Sequence, residues 1–253
     1  MASVGSGYDL AASQFSPEGK VFQIDYAQKA VENSGSVVAL KCKDGVVIAV
    51  ENIIQSKLYE PGSIKRIFNV DKHIGLGFAG FLSDAKVLVD YVKKECEDFR
   101  QEYGQKISIG TLAERVAMYV HAHTLYSAVR PFGVSIILVS YENEKSDIYM
   151  IEPSGLYYSY SGCAIGKAKQ TAKTELEKVK LDSISLSDLV NEAVKIIYTV
   201  HDEIKDKNFE VNVSWIGKDT NGVHCMVSNE KLKEAIEFAQ KALADADEMD
   251  QDI

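Results

Sequence analysis

The chain lacks most of what would mark a membrane, secreted or nucleic-acid-binding protein. None of its apolar runs approaches the roughly twenty residues that a membrane-crossing helix needs. Its first residues, MASVGSGYDL, have neither a basic start nor an apolar core, so no secretory signal is expected there. Cysteine is scarce: Cys42, Cys96, Cys163 and Cys225 are widely spaced and form no CxxC pair. Free core thiols in a reducing, intracellular setting are therefore expected, rather than a disulfide framework or a zinc site. Basic charge is in deficit, 28 Lys and Arg against 37 Asp and Glu, for a net charge of −9. That balance argues against non-specific nucleic-acid binding.

What is present suffices for a sizeable core. The 253 residues are 46% hydrophobic, compatible with one large domain or two small ones. An arm, residues 1–16, is kept polar by serines and broken by Gly5 and Gly7. Ser16-Pro17-Glu18-Gly19 then reads as a reverse turn, because proline presets φ and glycine supplies positive φ. Phe22, Tyr26 and Ala30 follow at four-residue spacing, one face of a short helix over 20–31. Strands are expected at 37–42 and 46–50, around the turn Lys43-Asp44-Gly45, and at 67–70 and 74–78. A long helix carries Ala85, Leu88, Val89, Val92, Cys96, Phe99 and Tyr103; the next carries Leu112, Val116 and Val120, with a capping box at Thr111 and Glu114.

The second half has the same content. Strands are expected at 135–140, 148–151 and 156–160, helices at 167–179 and 186–204, and a strand through Val211, Val213 and Trp215. Asn221-Gly222 makes a hairpin turn, and a last helix carries Leu232, Ile236, Ala239 and Leu243. Hairpins outnumber strand–helix alternations, which disfavours a parallel doubly wound sheet. The expectation is an α+β fold, a four-layer αββα sandwich of two antiparallel sheets. The chain divides into an arm and turn at 1–18, one sandwich domain at 19–244 with the short helix on top, and an acidic tail at 245–253. The tail holds five acids and no base, too self-repelling to fold, and is read as disordered.

Several motifs imitate sites. Gly75-Leu76-Gly77-Phe78-Ala79-Gly80 matches the dinucleotide fingerprint, but about fifty residues of helix follow where a parallel strand ending in an acid is required. The glycines are read instead as letting a strand end pack tightly and turn into a helix. Gly162-Cys163-Ala164-Ile165-Gly166-Lys167 is one residue short of a phosphate loop, and Ala168 replaces its hydroxyl residue. His121 and His123 point to different helix faces and cannot share a metal, and His201 has no second histidine at helical spacing. No metal or cofactor site is expected.

One stretch is specific. Phe15, Ser16, Pro17, Gly19 and Lys20, then Gln23-Ile24-Asp25-Tyr26-Ala27, resemble the signature of α-type subunits of the 20S proteasome. The likeness continues through Lys43-Asp44-Gly45-Val46, Gly80 with Asp84-Ala85, Arg130-Pro131-Phe132-Gly133 and Gly166-Lys167-Ala168. Tyr8-Asp9-Leu10 and the acidic tail resemble the branch called alpha-7, or alpha type-3. The resemblance implies an N-terminal-nucleophile hydrolase sandwich. In catalytic relatives that fold uses an amino-terminal threonine, whose own amine is the base, with an aspartate and a lysine. Gly35 falls at the threonine position here, Glu51 at the aspartate position and Arg66 near the lysine position, with more than thirty residues preceding Gly35. A non-catalytic ring and gate subunit is therefore implied; the alternative is an active threonine or serine peptidase formed by processing near Gly35 or Ser36.

The resemblance also implies a gate cluster of Tyr8, Asp9, Pro17 and Tyr26 that holds the open arm. It implies a pocket for activator tails lined by Gly19, Lys65, Arg66 and Gly80. Implied partners are other α-type subunits in a seven-membered ring, β-type subunits below and a regulatory particle or other activators above, in cytoplasm and nucleus, with no nucleic acid or membrane.

Overall fold

The structure is a computed structural model that describes residues 7–202, 206 and 208–251, the last six by backbone alone. All of the arm before Gly7 lies outside the described residues, as does Ile204, which the sequence pattern places on a buried stripe.

Two five-stranded antiparallel sheets form the centre. One has the order β10-β9-β2-β1-β8, from β1 (Val37–Cys42), β2 (Gly45–Ile53), β8 (Gly162–Ile165), β9 (Phe209–Gly217) and β10 (Cys225–Met226). The other has the order β3-β4-β5-β6-β7, from β3 (Ile67–Asp71), β4 (Ile74–Gly80), β5 (Val134–Glu142), β6 (Lys145–Ile151) and β7 (Tyr157–Ser159). Helices α2 (Leu82–Tyr103) and α3 (Ile109–Ala122) cover the second sheet; α4 (Lys169–Lys178), α5 (Leu186–Val200) and α6 (Asn229–Gln251) cover the first. Helix α1 (Phe22–Glu32) packs at the end of the sandwich against β4 and β5. This is the expected αββα sandwich.

Its energetics follow from strand alternation. On β2, Val46, Ile48 and Val50 face the other sheet while Val47 and Ala49 face the helices. On β5, Ile137 and Val139 face inward while Ile136 and Leu138 meet α2 and α3. Each central strand is thus buried on both faces and reads as an unbroken apolar run. At about 25 cal/mol per Å² of apolar surface, these three layers are the main stabilising term.

Several local expectations need correction. Gly162–Ile165 is strand β8, paired with β1 from Val37↔Ile165 to Leu40↔Gly162; four residues between glycines carry too little pattern to announce a strand. The cap of α3 is Ser108, whose Oγ accepts from the Thr111 N–H at 3.3 Å, one turn earlier than the Thr111–Glu114 box. Helix α5 stops at Val200 rather than 204, with His201 in extended backbone. On α1 the buried residues are Ala27 and Val31; Tyr26 is on the open side. Helix α6 runs to Gln251, through the stretch expected to be disordered from residue 245. A helix packed against α5 through Ala235 and Ala239 adds residues without a new nucleation cost, and Ala246, Glu248, Met249 and Gln251 favour its continuation although Asp245, Asp247 and Asp250 do not.

The GxGxxG stretch is β4 itself. Gly80 adopts φ +124°, and a Cβ there would stand 2.1 Å from the Gly133 carbonyl oxygen. That approach lets the chain leave β4 directly into α2. Asp84 in the first turn of α2 fixes the same corner. It accepts from both terminal nitrogens of Arg130, at 2.6 and 2.8 Å, and from the Gly133 N–H at 2.9 Å. Burial pushes the Asp84 carboxyl up, but Arg130 and the Gly133 N–H outweigh it and hold the group below the usual carboxylate range. Asp84→Ala is expected to cost about 2 kcal/mol in urea unfolding, because the Gly133 N–H loses its acceptor. An unchanged midpoint would show that the corner holds without it.

Candidate functional site

The arm meets the fold at α1. The turn forms as expected: the Ser16 carbonyl accepts from Gly19 N–H at 2.9 Å, Ser16 Oγ accepts from Lys20 N–H at 3.1 Å, and Gly19 has φ +76°. This turn folds the arm back along the helix. Tyr26 Oη then donates to Asp9 Oδ2 at 3.2 Å, and the Gln23 side-chain amide donates to the Asp9 carbonyl. Desolvation, followed by the charge of Asp9 and its hydrogen bond, raises the Tyr26 phenol above its ordinary value. Lys29 lies 5.5 Å from the Tyr26 ring centroid, and Phe22 stacks on Tyr26 at 6.4 Å.

Of the four residues assigned to the gate, the structure joins two, Asp9 and Tyr26. Pro17 is the exposed second residue of the turn. Tyr8 is exposed and has no side-chain hydrogen bond among the described residues. Gln23 is the member that sequence reasoning misses. It precedes Tyr26 by three positions, so both reach the same neighbour from one helix face; that spacing is the available signal.

Beyond α1, Gly35 stands where the resemblance would put a catalytic nucleophile, and other groups fill the space around it. A Cβ on Gly35 would stand 2.3 Å from the Glu51 carbonyl oxygen and 2.8 Å from Arg66 Nη1. No L side chain fits there, threonine included. Arg66 is buried, and its guanidinium donates to the carbonyls of Glu51 and Gly35, each at 2.7 Å, and of Phe78 at 3.0 Å. Burial drives its pKa down to about 10 against the opposing pull of Glu51. The Glu51 carboxylate is equally committed: Oε2 accepts from the Ser36 N–H at 2.7 Å, and Oε1 pairs with His201 Nδ1 at 2.6 Å. His201 stacks on Phe209 at 3.7 Å between ring centroids. Ser36 Oγ accepts from the Ala168 N–H at 3.3 Å and has no hydrogen bond to a base among the described residues.

Each polar group here is therefore tied to another, and the Gly35 nitrogen lies inside the chain. By sequence His201 reads only as a core or surface histidine. It stands 150 residues from Glu51, so no local pattern could pair them.

A cleft of about 450 Å³ opens between α1 and the strand ends, walled by Tyr26, Lys29, Asn33, Gly35, Ile53, Gln55, Ile64, Arg66, Gly80 and Phe81, among others. Arg66 and Gly80 of the expected activator pocket line it. Gly19 and the exposed Lys65 do not. Among the described residues no three His, Cys, Asp or Glu side chains are placed to hold a metal ion, and no helix is long and apolar enough to cross a membrane.

Comparison with known proteins agrees with this geometry. The family described as Proteasome subunit matches residues 31–216. The N-terminal signature of the A-type proteasome subunits matches residues 8–30, the segment that carries the turn and the Asp9–Tyr26 contact. The chain is 51% identical over 248 residues to the alpha type-3 proteasome subunit of Drosophila melanogaster, covering 98% of each chain. It is 48% identical over 246 residues to the alpha type-3 proteasome subunit of Dictyostelium discoideum, covering 97% of this chain and 99% of that one. It is 46% identical over 247 residues to the probable alpha type-7 proteasome subunit of Saccharomyces cerevisiae, covering 96% of this chain and 86% of that one. With a sandwich whose nucleophile position is a blocked glycine, and an N-terminal signature folded onto its first helix, the chain belongs to the proteasome subunit family, on its alpha-type branch.

Proposed function

We propose that this chain is a non-catalytic structural and gating subunit of the outer ring of the 20S proteasome core, controlling substrate entry and activator docking. One observation carries the non-catalytic part. Gly35 has neither a hydroxyl nor space for one, and its surroundings are occupied by Arg66 and Glu51. N-terminal-nucleophile chemistry needs a side chain there with a free amine. The gating part rests on the Asp9 contacts, weak enough individually to be exchanged between two arm positions separated by a few kcal/mol. In this reading the partners are six other α-type subunits, β-type subunits below and an activator above, and the particle works in cytoplasm and nucleus.

The test is made in assembled particles. Deleting residues 1–10 is expected to raise basal hydrolysis of small peptides, partially, because the other arms of the ring remain. Tyr26→Phe keeps the ring but removes the hydroxyl that holds Asp9, and is expected to reduce stimulation by an activator while basal activity stays low. If both variants behave as wild type, the arm does not gate. Intact mass of the chain in the particle addresses the alternative of an active peptidase: a chain beginning at Gly35 or Ser36 would overturn the non-catalytic reading.

A further inference from the structure

Among the described residues, the hydrogen bonds that join residues 7–14 of the arm to α1 all end on Asp9. They reach it at two different atoms. Tyr26 Oη donates to the carboxylate, whereas the Gln23 side-chain amide donates to the main-chain carbonyl. The other bonds of this segment are internal to it: the Gln14 amide donates to the Gly7 carbonyl and the Gln14 N–H to the Ala11 carbonyl, both at 3.4 Å. Ala12 is buried, but a methyl group packs without directional preference.

We infer that Gln23 is a positioning residue: it fixes the register in which the arm lies on α1, and only in that register does Asp9 meet Tyr26. The two bonds constrain different things. A carboxylate swings on its side-chain torsions, so it can follow Tyr26 while the backbone shifts. A main-chain carbonyl has no such freedom, and gripping it places the chain itself. The Tyr26 bond is exposed and, at 3.2 Å, longer than the usual O–H···O range, so alone it holds the arm weakly. The Gln23 bond is half-buried, and its backbone acceptor is the same whatever side chain stands at position 9. Gln28, further along the same helix, bonds Glu32 at 3.3 Å and makes no bond to the arm. The bearing of this register on opening and closing rests on the gating reading above; the register itself does not.

The experiment uses assembled particles containing the full chain, treated briefly with thermolysin and followed by intact mass. Cleavage before Leu10 needs the residues on either side drawn into the protease, so its rate tracks the fraction of arm released from α1. Gln23→Ala is expected to speed this cleavage by at least about fivefold, the loss of a hydrogen bond. Alanine is the best helix former, so α1 itself is not weakened. Tyr26→Phe is expected to speed cleavage less. The double variant is expected to be cut no faster than Gln23→Ala alone, because without Gln23 the Tyr26 bond is already lost. Gln28→Ala should be cut as wild type. Gln23→Met keeps the side-chain length without the donor, and carries the same test if Gln23→Ala particles fail to assemble.

Cleavage of the Gln23 variant at the wild-type rate, or multiplication of the two single effects in the double variant, overturns the proposal. Stimulation by purified regulatory particle, measured on the same variants, separates the two readings. A released arm with unchanged stimulation leaves the register role standing and overturns the gate.

Discussion

Replacing Arg66 with methionine is expected to lower the stability of the folded chain by at least about 3 kcal/mol, because it strips the donor from buried carbonyls on three separate segments. Those carbonyls belong to Gly35, Glu51 and Phe78, just before β1, within β2 and within β4. Arg66→Lys is expected to rescue little, since a single ammonium on a flexible stem cannot reproduce the planar fork. Urea unfolding of wild type, Arg66→Met and Arg66→Lys decides the matter. Recovery of most of the lost stability by lysine would show that charge alone matters and that the fork does not. The same substitution bears on function, since Arg66 holds the carbonyl of the residue that links α1 to β1.

Acid should destabilise the chain through His224 before most carboxylates titrate. His224 is buried between the sheets. Its Nδ1 donates to Asn69 Oδ1 at 2.6 Å, its Nε2 accepts from Ser214 Oγ at 2.9 Å, and its backbone N–H donates to the Lys72 carbonyl at 2.8 Å. Asn69 is on β3 of one sheet and Ser214 on β9 of the other, so the ring ties the two layers at their edge. This arrangement satisfies the neutral ring, whereas a charged ring would lose its hydration in the interior. Burial accordingly pushes the His224 pKa down to about 4.

The unfolded chain titrates this group near 6.5, so the unfolded state binds the proton first as pH falls. Stability contributed by the neutral ring is intact above about pH 6.5 and is lost down to about pH 4, roughly 3 kcal/mol in all. The folded chain should therefore lose stability between pH 7 and 4.5, and His224→Gln should flatten that slope while lowering stability at pH 7. If wild type and variant lose the same amount over this interval, the titrating group lies elsewhere.

The residues themselves determined a great deal. Valine-rich segments on either side of Lys43-Asp44 pair as a hairpin, as the turn residues predict. Asn221-Gly222, expected as a hairpin turn, instead ends a short 3-10 helix, Lys218–Thr220, in a seven-residue link between β9 and β10, with φ +52° and +68°. The apolar stripe of α5, from Leu189 through Val190, Ala193 and Val194 to Ile197, is buried as its period requires. The absence of a hydroxyl at position 35 is read directly from the glycine there.

Tertiary structure decided where pattern and pairing part company. Strand β8 is four residues long, and its identity comes from hydrogen bonds to β1 more than a hundred residues earlier. The exposed face of α1 carries Gln23 and Tyr26, which both bond Asp9 where the arm folds back on the helix, against the period of its own aromatic residues. The pairing of Glu51 with His201, and the inward course of Arg66 to three carbonyls, join residues that only the stacked layers bring within reach. A sequence records the periodicity of each segment, which is local. Which buried charge meets which carbonyl depends on register and layer order, and those are properties of the assembled core.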